Sequence, residues 1–170
     1  MVTPARFQHI LRVAGLAQSI AAGNGFDDGE RHCTLLGAVL HDAARDLPAE
    51  ELFRLAPPRN DLESRHPLAV HGRAGRALAE QWGVHDHRVL GAISGHVFGV
   101  APDDRVGMAV YVADVSEPGR GVNEDIREMA ICDLAVAYRL AVETKVLYLQ
   151  SNGKAVHPET LKVYEEIHNA

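Results

Sequence analysis

Six residues of metal-ligating type occur in the order His9, His41-Asp42, His71, His96 and Asp114. Imidazole nitrogens and carboxylate oxygens in one set suit Fe, Mn, Zn or Ni. Two such ions about 3.5–4 Å apart suit phosphoanhydride cleavage, because together they supply a nucleophilic water, neutralise developing charge and orient the leaving group. The six residues lie on or beside apolar stripes, where a polar group is tolerated only when it is paired or bound to metal. Any one of these histidines, taken alone, reads as a core residue with a backbone partner. Three on apolar stripes, joined by the His-Asp pair and by a second aspartate in an apolar run, favour metal.

Helices must carry this set. The His-Asp pair ends an apolar helix that starts at Asp27 or Asp28, where Asp27 and Glu30 resemble a capping box, and runs through Cys33, Leu36, Val39 and Leu40. On that helix His41 and Arg45 share a face and Asp42 is rotated by about 100°, so a ligand and a cation point the same way. His9 rides on a first amphipathic helix from about Arg6 to Ala22, stopped by Gly23-Asn24-Gly25. Pro48 opens a short helix to Arg54, and residues 57 to 66 read as a polar loop and candidate lid. His71 belongs to a helix from Pro67 to Trp82-Gly83, and Asp86 caps another that carries His96. The apolar run from Arg105 to Ser116 holds Asp114 and, among helical neighbours, reads as a central helix. One long helix from Asn123 to Leu149 and a last one from Pro158 are packing material. No alternating strand pattern, repeat or Gly-rich phosphate loop occurs. The fold class is all-α: a single domain over 1–170 with about seven or eight helices.

Composition narrows the partners. Apolar residues are 46% and charged residues 24% of 170, ordinary for a globular chain with its own core. A net charge of -6 disfavours nucleic acid and anionic membranes as partners and leaves room for a small anion in a local basic pocket. Cys33 and Cys132 lack C-x-x-C spacing and read as buried apolar residues in a reducing compartment. No signal-peptide pattern is present, and the longest apolar run, Val106 to Val115, is far short of the roughly 20 residues of a spanning helix. A cytoplasmic protein is expected. His85 and His87 read as surface residues, and His32, His66, His157 and His168, beside loops or termini, receive no role.

With their flanks, these residues resemble the HD metal-dependent phosphohydrolase superfamily and, more narrowly, the bacterial YqeK family. The matching runs are Arg6-Phe7-Gln8-His9, His41-Asp42-Ala43-Ala44-Arg45-Asp46-Leu47-Pro48, His71-Gly72 with Gly75 and Ala77, Ala92-Ile93 before His96, and Ala113-Asp114 leading into Glu117-Pro118-Gly119-Arg120. The resemblance implies a helical HD bundle with two divalent ions, iron first and Mn, Co, Ni or Zn as alternatives, that cleaves diadenosine tetraphosphate symmetrically. Under it, His9, His41, Asp42 and Asp114 serve one ion, and Asp42 bridges to a second held by His71 and His96. Asp42 and Arg45 are then catalytic, and Arg6, Arg45, Glu117 and Arg120 face a small-molecule nucleotide. For Glu117 with Arg120 a surface ion pair, and for Arg6 and Arg12 simple snorkelling, stand as alternatives. Two departures are visible: Arg45 replaces a frequent Lys, and Val97 stands where Thr often follows His96. A homodimer is compatible with the chain. The competing functions are an HD hydrolase for another nucleotide or alarmone and a metal-containing regulatory or binding module without turnover.

Overall fold

Side-chain caps set most of the helix starts in the computed structural model, which describes residues 2–169. Thr3 accepts the Arg6 N–H to open α1 (Pro4–Gly23), and a complete Asp27–Glu30 capping box opens α2 (Asp28–Leu40). After α3 (Ala49–Leu55), Asn60 caps the short α4 (Asp61–Arg65), and a 3₁₀ turn over Pro67–Val70 leads into α5 (His71–Gln81). Asp86 caps α6 (His87–Gly95) and Asp104 caps α7 (Arg105–Ser116), followed by a 3₁₀ turn over Pro118–Arg120. Then come α8 (Glu124–Cys132), α9 (Leu134–Ser151), capped by Asp133, and α10 (Pro158–Asn169). The described residues form no strand, so the class is all-α, with ten α-helices rather than seven or eight.

The central element is α7. Val106 through Asp114 are all buried, as the all-round apolar pattern requires, and α7 packs against α1, α2, α6, α8 and α9. Its Tyr111 meets Tyr138 of α9 edge to face at 5.3 Å between ring centres. A smaller core of Ala44, Leu52, Ala56, Val70 and Ala74 lies under α3 and α5.

Four expectations change. The single helix from Asn123 is two, because Asp133 leaves helical geometry (φ -148°, ψ 89°) and caps α9 through Val136 N–H. Asn24 fills the break: its amide donates to the Ala130 carbonyl at 2.8 Å, and its oxygen accepts Leu134 N–H at 2.9 Å. Gly23 lets α1 approach so closely that a Cβ there would lie 2.0 Å from the Ile131 carbonyl oxygen. The candidate lid is pinned instead: Glu63, fully buried, accepts Arg59 N–H and the Arg73 guanidinium at 2.6 Å each. His157, given no role by its position, is buried with its Nε2 3.3 Å from Glu63 Oε1 and its ring stacked on Phe98. Cys33 is buried, but Cys132 is exposed at the end of α8. No helix among the described residues is long and apolar enough to cross a membrane.

Candidate metal centre

The site is built where α1, α2, α5, α6 and α7 meet. His9 comes from the second turn of α1, His41 and Asp42 from the end of α2, His71 from the start of α5, His96 from the end of α6, and Asp114 from the last turn of α7. All six are buried, Asp42 at 3% exposure and His41 at 0%. Gly72 allows the close α5–α6 contact that sets His71 beside His96, since a Cβ there would fall 2.8 Å from the Ser94 carbonyl oxygen.

Each imidazole is oriented through Nδ1. His41 Nδ1 is held by the Ala38 carbonyl at 2.7 Å, His71 Nδ1 by Leu68 at 2.5 Å and His96 Nδ1 by Ile93 at 2.7 Å. His9 Nδ1 is held by Glu117 Oε1 at 3.0 Å. With Nδ1 donating, each neutral ring presents an Nε2 lone pair to the interior. Those four Nε2 atoms converge on two carboxylates. His9 Nε2 is 3.1 Å from Asp114 Oδ1 and 3.6 Å from Asp42 Oδ2, and His41 Nε2 is 3.5 Å from the latter. His71 and His96 Nε2 lie 3.2 and 3.6 Å from the other oxygen, Asp42 Oδ1, and 2.9 Å from each other.

Two features fit this arrangement to metal. The Nε2 atoms of His9 and His41 are buried without a hydrogen-bond partner among the described residues. The donor atoms also form two ligand-sized groups, His9 with His41 and Asp114, and His41 with Asp42 and His96. Asp42 spans both halves with its two oxygens. Burial pushes the His96 ring down to about 4, helped by the neighbouring His71 and His41, which keeps it neutral and ligating. For Asp42 burial works to raise the carboxyl, but the surrounding His41, His71 and His96 rings outweigh it and hold the group far below the usual range. Asp114 behaves alike, with His9 the largest opposing influence.

The arginines occupy defined places. Arg6 donates to Asp42 Oδ2 at 2.7 Å, and Arg120 donates to the carbonyl and Oδ1 of Asp114. Residues 42–47 leave α2 with i→i+3 bonds, Arg45 N–H to the Asp42 carbonyl among them. Arg45 lines the same cavity as Asp42, His71 and His96. Glu117 lies behind the site with 1% exposure: besides His9 it takes Arg12 Nε and Gly119 N–H, each at 2.6 Å. It therefore faces His9, not the cavity expected to hold a nucleotide. Arg12 is its ion-pair partner.

Beside the centre opens a cavity of about 730 Å³ in which Arg6, Asp42, Arg45, His71, His96, Asp114 and Arg120 all share. Its far wall belongs to α9 and the 115–123 segment: Val115, Val122, Asn123, Ala141, Thr144, Lys145 and Tyr148. These residues were not legible as site residues. The one local signal is Lys145, a charge within the buried stripe of Ala141, Val142 and Val146.

The chain is similar to known proteins over most of its length. The HD domain family model matches residues 6–119. A "Probable nicotinate-nucleotide adenylyltransferase/Ap4A hydrolase" of Mycoplasma genitalium is 34% identical over 122 residues, covering 71% of this chain and 34% of that protein. The chain likewise spans 44% of a relative of the same name from Mycoplasma pneumoniae, at 31% identity over 86% of this chain. A "Bis(5'-nucleosyl)-tetraphosphatase, symmetrical" of Halalkalibacterium halodurans is 27% identical over 98% of this chain and 90% of its own. A crystal structure from Clostridium acetobutylicum, a "predicted HD superfamily hydrolase involved in NAD metabolism", superposes with a TM-score of 0.88 at 26% identity, over 99% of this chain and 91% of that one.

Proposed function

This chain belongs to the HD domain family and is a phosphohydrolase of that family, and from this premise we propose that it cleaves diadenosine tetraphosphate at its middle to give two molecules of ADP. The observation that carries the reading is Asp42, whose two oxygens face different histidine pairs at the floor of a nucleotide-sized cavity. The set His9, His41, Asp42 and Asp114 would hold one divalent ion and Asp42, His71 and His96 a second, iron or else Mn, Co, Ni or Zn. Bound there, the ions supply positive charge and water activation for attack on phosphorus. Residues 1–170 act as one domain.

The chain's own groups do the rest. Asp42 and Asp114 keep the centre anionic enough to retain its cations, and the Nδ1 bonds keep the four rings in the ligating tautomer. Arg45, which lines the cavity with Asp42, meets an inner phosphate and stabilises the charge that grows on its oxygens in the transition state. Arg6 and Arg120 tie the two carboxylates in place and border the same phosphate path. Val97, Val115, Val122 and Tyr148 offer an apolar wall to a nucleoside.

The test is product chromatography with Ap4A and Mn, Fe, Co, Ni or Zn supplied. ADP as the sole product supports the proposal. ATP plus AMP rejects symmetrical cleavage, phosphate released from a mononucleotide favours a different phosphate ester, and no turnover with any metal favours a binding module.

A further inference from the structure

One cation of the cavity takes no part in the chemistry above. Lys145 projects from α9, a helix that gives no ligand to the His-Asp cluster, and lines the same cavity as Asp42, Arg45 and His96. It is half-buried, whereas the only other lysines, Lys154 and Lys162, are exposed. Its ammonium donates to the Val97 carbonyl, one residue beyond His96, and stands 5.4 Å from the centre of the Tyr111 ring. An ammonium has three N–H donors, and among the described residues no carboxylate pairs with this one. Arg6 and Arg120 are already tied to Asp42 and Asp114, which leaves Arg45 and Lys145 as the cavity cations without a carboxylate partner among the described residues. Val97 offers no polar side-chain atom beside His96, so Lys145 is the donor at that point of the wall. Burial lowers its ammonium to about 8, a cost that a bound anion beside it offsets.

We propose that Lys145 is a second phosphate-binding residue, which grips a phosphate of the polyphosphate chain from the α9 side while Arg45 meets the chain from elsewhere in the same cavity. The cavity thereby prefers a polyphosphate to a single phosphate. This rests on the reading of the substrate as a nucleoside polyphosphate.

Inorganic tripolyphosphate and orthophosphate are the probes, applied to the Mn-loaded full chain. Acetic anhydride labelling of the wild-type protein, read by peptide mass spectrometry, should slow at least fivefold at Lys145 under saturating tripolyphosphate and stay unchanged at Lys154 and Lys162. By calorimetry, Lys145→Met should weaken tripolyphosphate binding about tenfold, equivalent to about 1.4 kcal/mol. Orthophosphate binding should change less than twofold, and Lys145→Arg should recover most of the loss. Equal labelling of Lys145 with and without tripolyphosphate overturns the proposal, as does unchanged tripolyphosphate affinity in a folded Lys145→Met. The two readings fail separately. Protection of Lys145 without Ap4A cleavage sinks only the assignment of Ap4A, and cleavage with Lys145 unprotected sinks only this one.

Discussion

Glu117→Gln tests whether a residue outside the ligand set controls metal binding. Glu117 Oε1 holds His9 Nδ1 at 3.0 Å, while Oε2 accepts Arg12 Nε and Gly119 N–H at 2.6 Å each. A glutamine has the same shape but one acceptor oxygen. Turned one way, its NH₂ opposes the donors of Arg12 and Gly119; turned the other, it opposes the Nδ1–H of His9. The second arrangement drives His9 to the tautomer with a proton on Nε2, the atom 3.1 Å from Asp114 Oδ1, and a protonated nitrogen cannot ligate. Either arrangement also removes the negative charge that stands behind His9 at 3.0 Å. Losing such an outer partner typically costs about 10–100-fold in metal affinity, roughly 1.4–2.7 kcal/mol. Chelator competition with Mn or Zn, followed by elemental analysis, measures this, and denaturant melting checks the fold. One ion's worth of metal should be weakened, the one served by His9. Affinity within twofold of wild type in a folded Glu117→Gln would refute the reasoning and leave Glu117 as a tie for the 117–120 turn.

Arg45→Ala should keep its metal and lose turnover by a factor of tens, on the order of 2 kcal/mol, if the guanidinium meets a phosphate that gains charge; steady-state kinetics within twofold of wild type would make it a surface cation. Gly23→Ala should destabilise the fold by roughly 2 kcal/mol or more in denaturant melts, because its Cβ would meet the Ile131 carbonyl at 2.0 Å, which only a backbone shift relieves. His157 gives a pH prediction. Burial lowers its ring, outweighing Glu63 and Glu159, and Nδ1 is already taken by Glu159 N–H, so the folded protein binds the proton less well than the unfolded chain. Its contribution to stability is complete above the unfolded value of about 6.5 and is lost as pH falls below it. In melts at fixed metal, His157→Gln should flatten that acid slope, and an unchanged slope would remove His157 as its source.

What the sequence made legible is what a helix can decide within its own turns. Asp27 with Glu30, and the all-apolar run around Asp114, announce a cap and a buried helix from adjacent residues alone. The break at Asp133 is hidden because Met129, Ala130, Leu134 and Ala137 keep an apolar period across it, and what fills it is Asn24, more than a hundred residues earlier. The pinning of Glu63 is hidden for the same reason: Arg73 and His157 come from α5 and from just ahead of α10. A polar segment read by composition alone looks mobile, whereas a buried carboxylate with three partners is not.

The metal centre divides along the same line. His41, His71 and His96 each tie Nδ1 to the carbonyl three residues earlier, Ala38, Leu68 and Ile93, so their orientation follows from the local chain path. His9 sits inside α1, in its second turn, where the carbonyls three and four residues back already serve the helix, and its Nδ1 must look elsewhere. It finds Glu117, 108 residues on, and that distance is why Glu117 read as a residue facing substrate when its work is to aim a ligand. Three rings are thus set by their own turns and the fourth by the packing of α1 against the end of α7. Damage to that packing should release the His9 side of the centre while leaving His71 and His96 in place.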